Sequence, residues 1–150
     1  PLKEENITKK PIADKQITIA NEQIIKVKQA INRQLKFLIV DNDKQVCDAM
    51  ATLVQSLGHE TTIAYSWQGI LDNISNYDGF FLDYDLGADE NGIDIARKII
   101  SNQKDAKIAI ITAHTIASIK DIETELGVKI LKKPLDTKKL LNWLNKNFSN

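Results

Sequence analysis

Short apolar runs in this chain alternate with stretches of helical spacing. Phe37 to Asp41 and Gly79 to Asp83 are runs of strand formers that each stop at an acidic residue. Between and after them, Lys44 to Leu57 reads as a helix ended by Gly58, Thr61 to Tyr65 as a short strand and Trp67 to Ser75 as a short helix. Gly92 to Asn102 is amphipathic through Ile93, Ile95, Ala96, Ile99 and Ile100. Lys107 to Thr112 is a fourth strand, Ile116 to Leu126 a helix closed by Gly127, Val128 to Leu131 a fifth strand and Thr137 to Phe148 the last helix. Five alternations of strand and helix predict an α/β fold, a (βα)5 doubly wound parallel five-stranded sheet covered on both faces.

Residues 1–36 read as a linker with one helix over 21–34, where Ile24, Val27 and Ile31 have helical spacing. Ile17 and Ile19 alternate as a strand would, while Pro1 and Pro11 interrupt any longer period. The domain proper is expected over 37–150.

Formal charge is zero, with 20 basic and 20 acidic residues, so no global field argues for nucleic acid or a membrane surface. The leader carries eight Lys/Arg against four Asp/Glu, which leaves 37–150 net acidic. The single cysteine, Cys47, excludes an internal disulfide and suits a reducing, cytoplasmic compartment. No run approaches the roughly 18 apolar residues of a membrane span. The chain begins at Pro1, as a piece of a longer protein or the product of initiator-Met removal would.

In a parallel sheet the strand exits lie side by side, and ligands bind beyond them. Asp41, Asn42 and Asp43 follow the first strand, Asp83 the third, Thr112 the fourth, and Lys133 before Pro134 the fifth. Clustered carboxylates without His or Cys partners suit a hard cation, and Mg2+ is the usual choice beside phosphate. A hydroxyl and an ammonium beside them are what a transferring phosphoryl group needs. A carboxylate can itself become an aspartyl phosphate. Asp43 fits a helix N-cap as well as a metal ligand. His114, two residues past Thr112, belongs either at the pocket mouth or on the surface, and His59, after Gly58, reads as structural. On the first helix of the domain, Val46, Met50, Leu53 and Leu57 are expected inward. Cys47, Ala51 and Val54 fan to one side, where they suit either tight packing or docking of a helical bundle that presents a phosphohistidine.

Four segments in register, Phe-Leu-Ile-Val-Asp-Asn-Asp, Phe-Phe-Leu-Asp-Tyr-Asp-Leu-Gly with Asn91-Gly92 behind it, Ile-Ile-Thr-Ala and Leu-Lys-Lys-Pro, resemble the receiver domain of two-component response regulators, a flavodoxin-like fold, from about Leu35 onward. The resemblance implies Asp83 as phosphoacceptor and Mg2+ held by Asp41, Asp83 and the Asp85 backbone carbonyl, with Asn42 or Asp43 as a further ligand. It implies Thr112 as the switch hydroxyl, Lys133 as the phosphoryl partner and a cis Lys133–Pro134 bond. The implied partners are a histidine kinase or a histidine phosphotransfer domain, with no nucleic acid, no direct membrane contact and at most a weak homodimer. The Asp-Tyr-Asp-Leu-Gly wording looks most like the C-terminal receiver of a hybrid sensor histidine kinase.

Two positions depart from that pattern. Asn42 stands where a second acid is usual, which weakens Mg2+ binding, and Ile130 stands where a switch aromatic is usual. They motivate an alternative, a receiver-fold binding module that has lost phosphorylation. A further alternative is a haloacid-dehalogenase-like phosphatase using Asp83, from the Asp83-Tyr84-Asp85 wording. That family places its nucleophile on the first strand of its domain.

Overall fold

β-Branched and aromatic residues dominate the strands, as a sheet buried on both faces requires. The computed structural model describes residues 21–87 and 89–150, which form two compact units, Arg33–Asp136 and residues 21–32 with Thr137–Asn150. The strand-like alternation of Ile17 and Ile19 lies outside the described residues.

The larger unit holds β1 (Lys36–Val40), α2 (Lys44–Ser56), β2 (Glu60–Ala64), β3 (Gly79–Asp83), α3 (Gly92–Asn102), β4 (Lys107–Thr112), α4 (Ile119–Leu126) and β5 (Lys129–Lys132). The sheet order is β2-β1-β3-β4-β5, every pair parallel. One face carries Leu38, Val40, Phe80, Leu82, Ile108 and Ile110, buried with Ile95, Ala96 and Ile99 of α3. The alternate residues Phe37, Ile39, Phe81, Ala109, Ile111 and Leu131 are buried on the other. There Phe37 stacks on Phe81 with centroids 5.4 Å apart. Each of these aromatic rings contributes on the order of 2–3 kcal/mol relative to exposure.

The smaller unit contains α1 (21–30) and α5 (Thr137–Phe148). Gln23 Nε2 donates to Asn142 Oδ1 at 3.1 Å, and the Asn150 N–H donates to the Ala30 carbonyl at 3.0 Å. Trp143 meets Phe148 edge to face.

Several elements differ from expectation. The helix expected over Trp67 to Ser75 is two 3-10 turns, Ile70–Asp72 and Ile74–Asn76. Gly69 before them is left-handed and Asn73 between them departs from helical geometry, while Ile70 and Ile74 are both buried. Burial of two side chains is thus achieved without continuous helix, among Ser and Asn residues whose side chains compete for backbone bonds. The α1 helix stops at residue 30, short of 34. Left-handed Ser118 delays α4 to Ile119. On α2 it is Cys47, Met50, Ala51 and Val54 that are buried, while Val46 and Leu53 are half-buried. Of the four residues expected inward, Met50 and Leu57 are buried and Val46 and Leu53 only partly so, and Cys47, Ala51 and Val54 take the tight-packing alternative, in the core.

His59 is structural, as expected. It is 4% exposed, accepts the Leu35 N–H at Nδ1 over 3.1 Å and lies edge-on to Phe37. Burial, and then the Arg33 charge, lower its pKa from the ordinary histidine value. The unfolded chain therefore takes up a proton at His59 near pH 6.5 that the folded chain refuses. Stability is expected to hold above about pH 6.5 and to fall below it as this group's protonation draws the chain toward the unfolded state. Urea unfolding of wild type and His59→Asn at pH 7.5 and 5.5 measures it, because Asn keeps an acceptor for Leu35 but does not titrate. An equal loss in both proteins contradicts the assignment.

Candidate functional site

Because every strand runs the same way, the exits of β1, β3, β4 and β5 gather at one edge of the sheet. Asp41 follows β1, Asp83 ends β3, Thr112 ends β4 and Lys133 follows β5. Lys133 Nζ lies 3.1 Å from Asp41 Oδ2 and 3.2 Å from Asp83 Oδ1. The two carboxylate side chains are 3% and 5% exposed, so a single ammonium neutralises two nearly buried acids. The Lys133–Pro134 bond is cis.

Burial raises the Asp83 carboxyl above the ordinary carboxylate range, and the Asp41 charge adds to the rise. Lys133 and the Asp85 backbone N–H oppose it without cancelling it. For Lys133, burial works against the charge, but its hydrogen bonds and attraction to Asp41 and Asp83 prevail and raise its pKa. Asp83 is thus a nearly buried carboxylate whose surroundings favour its protonated form more than water does.

The surrounding loops hold these groups in place. Asp41 Oδ1 accepts the Asp43 N–H at 2.8 Å. Asp43 caps α2, its Oδ1 accepting from Gln45 N at 2.9 Å and Val46 N at 3.4 Å. Asn42 is exposed. The Cys47 thiol donates to the Asp41 carbonyl at 3.2 Å, and burial, with Asp41 next, pushes its pKa up to about 11. That buried thiol ties the start of α2 to the turn after β1, and its raised pKa disfavours the reactive thiolate.

Thr112 is fully buried, and its hydroxyl oxygen accepts the His114 N–H at 2.9 Å. Its carbonyl accepts the Lys133 N–H at 2.7 Å, which joins β4 to the Lys133 loop. After β3, Asp85 Oδ1 accepts the Gly87 N–H at 3.1 Å, and Gly87 is left-handed. The Gly87 N–H, followed by His114, holds the Asp85 carboxyl below the usual range.

Several contacts at the site have no signal in the sequence pattern. His114 Nε2 stands 3.5 Å from Asp85 Oδ2, and its ring meets Tyr84 edge to face at 5.9 Å. With Tyr84, Asp85, Asn91 and Ile116, His114 lines a cavity of about 380 Å3 next to the end of β3, and its side chain is 58% exposed. Gly92 opens α3 so close to β3 that a Cβ there would lie 2.5 Å from the Asp83 carbonyl oxygen. Its N–H donates to the Tyr84 carbonyl at 2.8 Å, and an Asn91–Asp94 capping box fixes the helix start. The Asn91-Gly92 pair was legible; the contact that demands glycine was not.

The donor set suits a hard divalent cation. Among the described residues no three His, Cys, Asp or Glu side chains cluster as a ready-made cage. Mg2+ binds through one or two carboxylates with water and phosphate oxygens, and two buried carboxylates already drawn around one ammonium fit that habit.

The family model for the response regulator receiver domain matches residues 37–145. A CheY-like response regulator receiver domain protein from Methanospirillum hungatei JF-1 is 21% identical with a TM-score of 0.68, over 77% of this chain and 94% of that one. A two-component response regulator from Clostridium difficile is 26% identical with a TM-score of 0.67, over 76% and 95%. A response regulator receiver protein from Pseudomonas putida is 23% identical with a TM-score of 0.67, over 76% and 98%. No curated protein matches. With Asp83 at the end of the third strand in the order β2-β1-β3-β4-β5, the phosphatase resemblance loses its basis.

Proposed function

We propose that this chain, which belongs to the response regulator receiver domain family, accepts a phosphoryl group from a phosphohistidine onto Asp83 with the help of Mg2+. The observation that carries the reading is the Lys133 ammonium held between the buried carboxylates of Asp41 and Asp83. Two acids brought together at a strand exit and balanced by a movable cation form a place where negative charge is received.

An oxygen of Asp83 forms the new O–P bond as the donor's P–N bond breaks and an imidazole leaves. Lys133 follows the added charge onto the phosphoryl oxygens, and the Thr112 hydroxyl exchanges its His114 contact for one of them. Asp41, Asp83 and the Asp85 carbonyl would hold Mg2+, with Asn42 or Asp43 contributing through water, and the ion supplies charge neutralisation at the transferring group. Water later attacks phosphorus and returns the free carboxylate.

The donor is a histidine kinase or a histidine phosphotransfer domain, and the context is a cytoplasmic phosphorelay, with this receiver part of a hybrid histidine kinase. Among the described residues no helix is long and apolar enough to cross a membrane. One observation favours a second reading, a binding module that has lost phosphorylation: Asn42 supplies no charge where an acid is usual.

Transfer from a radiolabelled phosphohistidine protein tests the proposal. The label is expected on this chain within minutes, to be released by hydroxylamine and to stay bound in acid. Label that never leaves the donor contradicts transfer and favours the binding module.

A further inference from the structure

Residues 31–35, between α1 and β1, form neither helix nor strand, so the backbone groups at the entry to β1 take their partners from other segments. Leu35 donates its N–H to His59 Nδ1 at 3.1 Å, and its carbonyl accepts the Glu60 N–H at 2.9 Å. Lys36 donates its N–H to Asp78 Oδ2 at 2.8 Å, and its carbonyl accepts the Asp78 N–H at 2.8 Å. Each donor thus depends on a side chain from elsewhere in the chain.

Because His59 Nδ1 accepts, the neutral ring carries its proton on Nε2, an atom with no partner among the described residues. A second proton can go only to Nδ1. There it would face the Leu35 N–H, donor against donor, in a buried site where neither finds another acceptor cheaply. The charges that reach the ring are Arg33, which opposes the proton, and Asp78, which favours it. Lys36 and Glu60 pair with each other on the opposite face of the sheet.

We infer that His59 is a proton-sensitive latch on the entry to β1: a proton at Nδ1 expels the Leu35 N–H and releases residues 33–35, the stretch that leads from α1 into the sheet. Leu35 is 1% exposed, so release also draws its side chain from the core, and the released form is a minor state at neutral pH. The latched ring takes up a proton less readily than a released one, because burial, and then Arg33, lower its pKa. The latch therefore holds fully above the ordinary histidine value near pH 6.5 and loosens as pH falls below it. The device lies apart from the acidic pocket and does not depend on phosphoryl transfer.

Hydrogen exchange of the backbone amides in the full chain tests this, followed by NMR between pH 7.5 and 5.5 and corrected for intrinsic rates. The Leu35 amide is expected to be less protected than that of Phe81, in the middle of β3, at every pH, because it exchanges through an opening smaller than global unfolding. Its protection is expected to fall several-fold from pH 7.5 to 5.5. His59→Asn, which keeps an acceptor but does not titrate, is expected to abolish that fall. At pH 7.5 the His59 ring nitrogens should show the Nε2–H tautomer. Leu35 protection equal to that of Phe81, Leu35 protection constant with pH, or the Nδ1–H tautomer would each overturn the latch without recourse to a variant. A fall of the same size in folded His59→Asn would overturn it as well.

Discussion

Lys133→Met is expected to lower stability by about 2 kcal/mol at pH 8, somewhat less than breaking a fully buried ion pair because the lysine keeps some solvent contact. Its ammonium is the shared counter-charge of Asp41 and Asp83. Without it two nearly buried carboxylates face each other, and the Asp83 pKa, already raised by burial and by Asp41, rises further. A carboxyl whose folded pKa exceeds its unfolded value favours the fold when protonated and costs stability as pH rises. The deficit of the variant is therefore expected to be largest at pH 8 and to shrink toward pH 4. Because a divalent cation replaces the missing charge, millimolar Mg2+ should stabilise the variant more than the wild type. Urea unfolding at both pH values, with and without Mg2+, reads all three effects. A variant as stable as wild type at pH 8 would mean that Asp41 and Asp83 do not need this cation.

Gly92→Ala is expected to damage both fold and site. The added Cβ would lie 2.5 Å from the Asp83 carbonyl oxygen and 3.0 Å from Tyr84 Cα. Both are backbone atoms, and no flexible side chain can yield. Relief requires α3 to retreat from β3, which strains the Gly92 N–H to Tyr84 carbonyl bond and shifts the Asp83 carboxylate against Lys133. Overpacking of this kind costs about 1–3 kcal/mol, and a displacement on the order of 1 Å lowers a transfer rate about a hundredfold. Thermal unfolding and the rate of phosphoryl acceptance measure the two parts. Unchanged values in both would show that the close approach carries no constraint.

The sheet was legible because two apolar runs end in acids and the strand–helix alternation is regular, features that parallel packing imposes directly on residue type. Proximity of Asp41, Asp83 and Lys133 followed from strand direction alone. What lay hidden depends on contacts between segments distant in sequence. The inward face of α2 was only partly legible, because Val46, Cys47, Met50, Ala51, Leu53 and Val54 form an apolar arc wide enough to permit two rotations, and packing buries Met50 with Cys47, Ala51 and Val54 while leaving Val46 and Leu53 half-buried. The segment after β2 has helical spacing at Ile70 and Ile74, which two 3-10 turns satisfy as well as a helix does. Asp43 was equally plausible as cap and ligand, and the bonds from Gln45 and Val46 to its Oδ1 show the capping role. The Asp85–His114 contact joins two loops that no local pattern connects.

Phosphoryl acceptance at Asp83 is tested most directly by intact mass after incubation with phosphoramidate, with and without Mg2+, for wild type and Asp83→Asn. A Mg2+-dependent gain of one phosphoryl group in the wild type, absent in the folded variant, is the predicted result. An adduct that persists in Asp83→Asn, or none on the folded wild type under any donor, would contradict it.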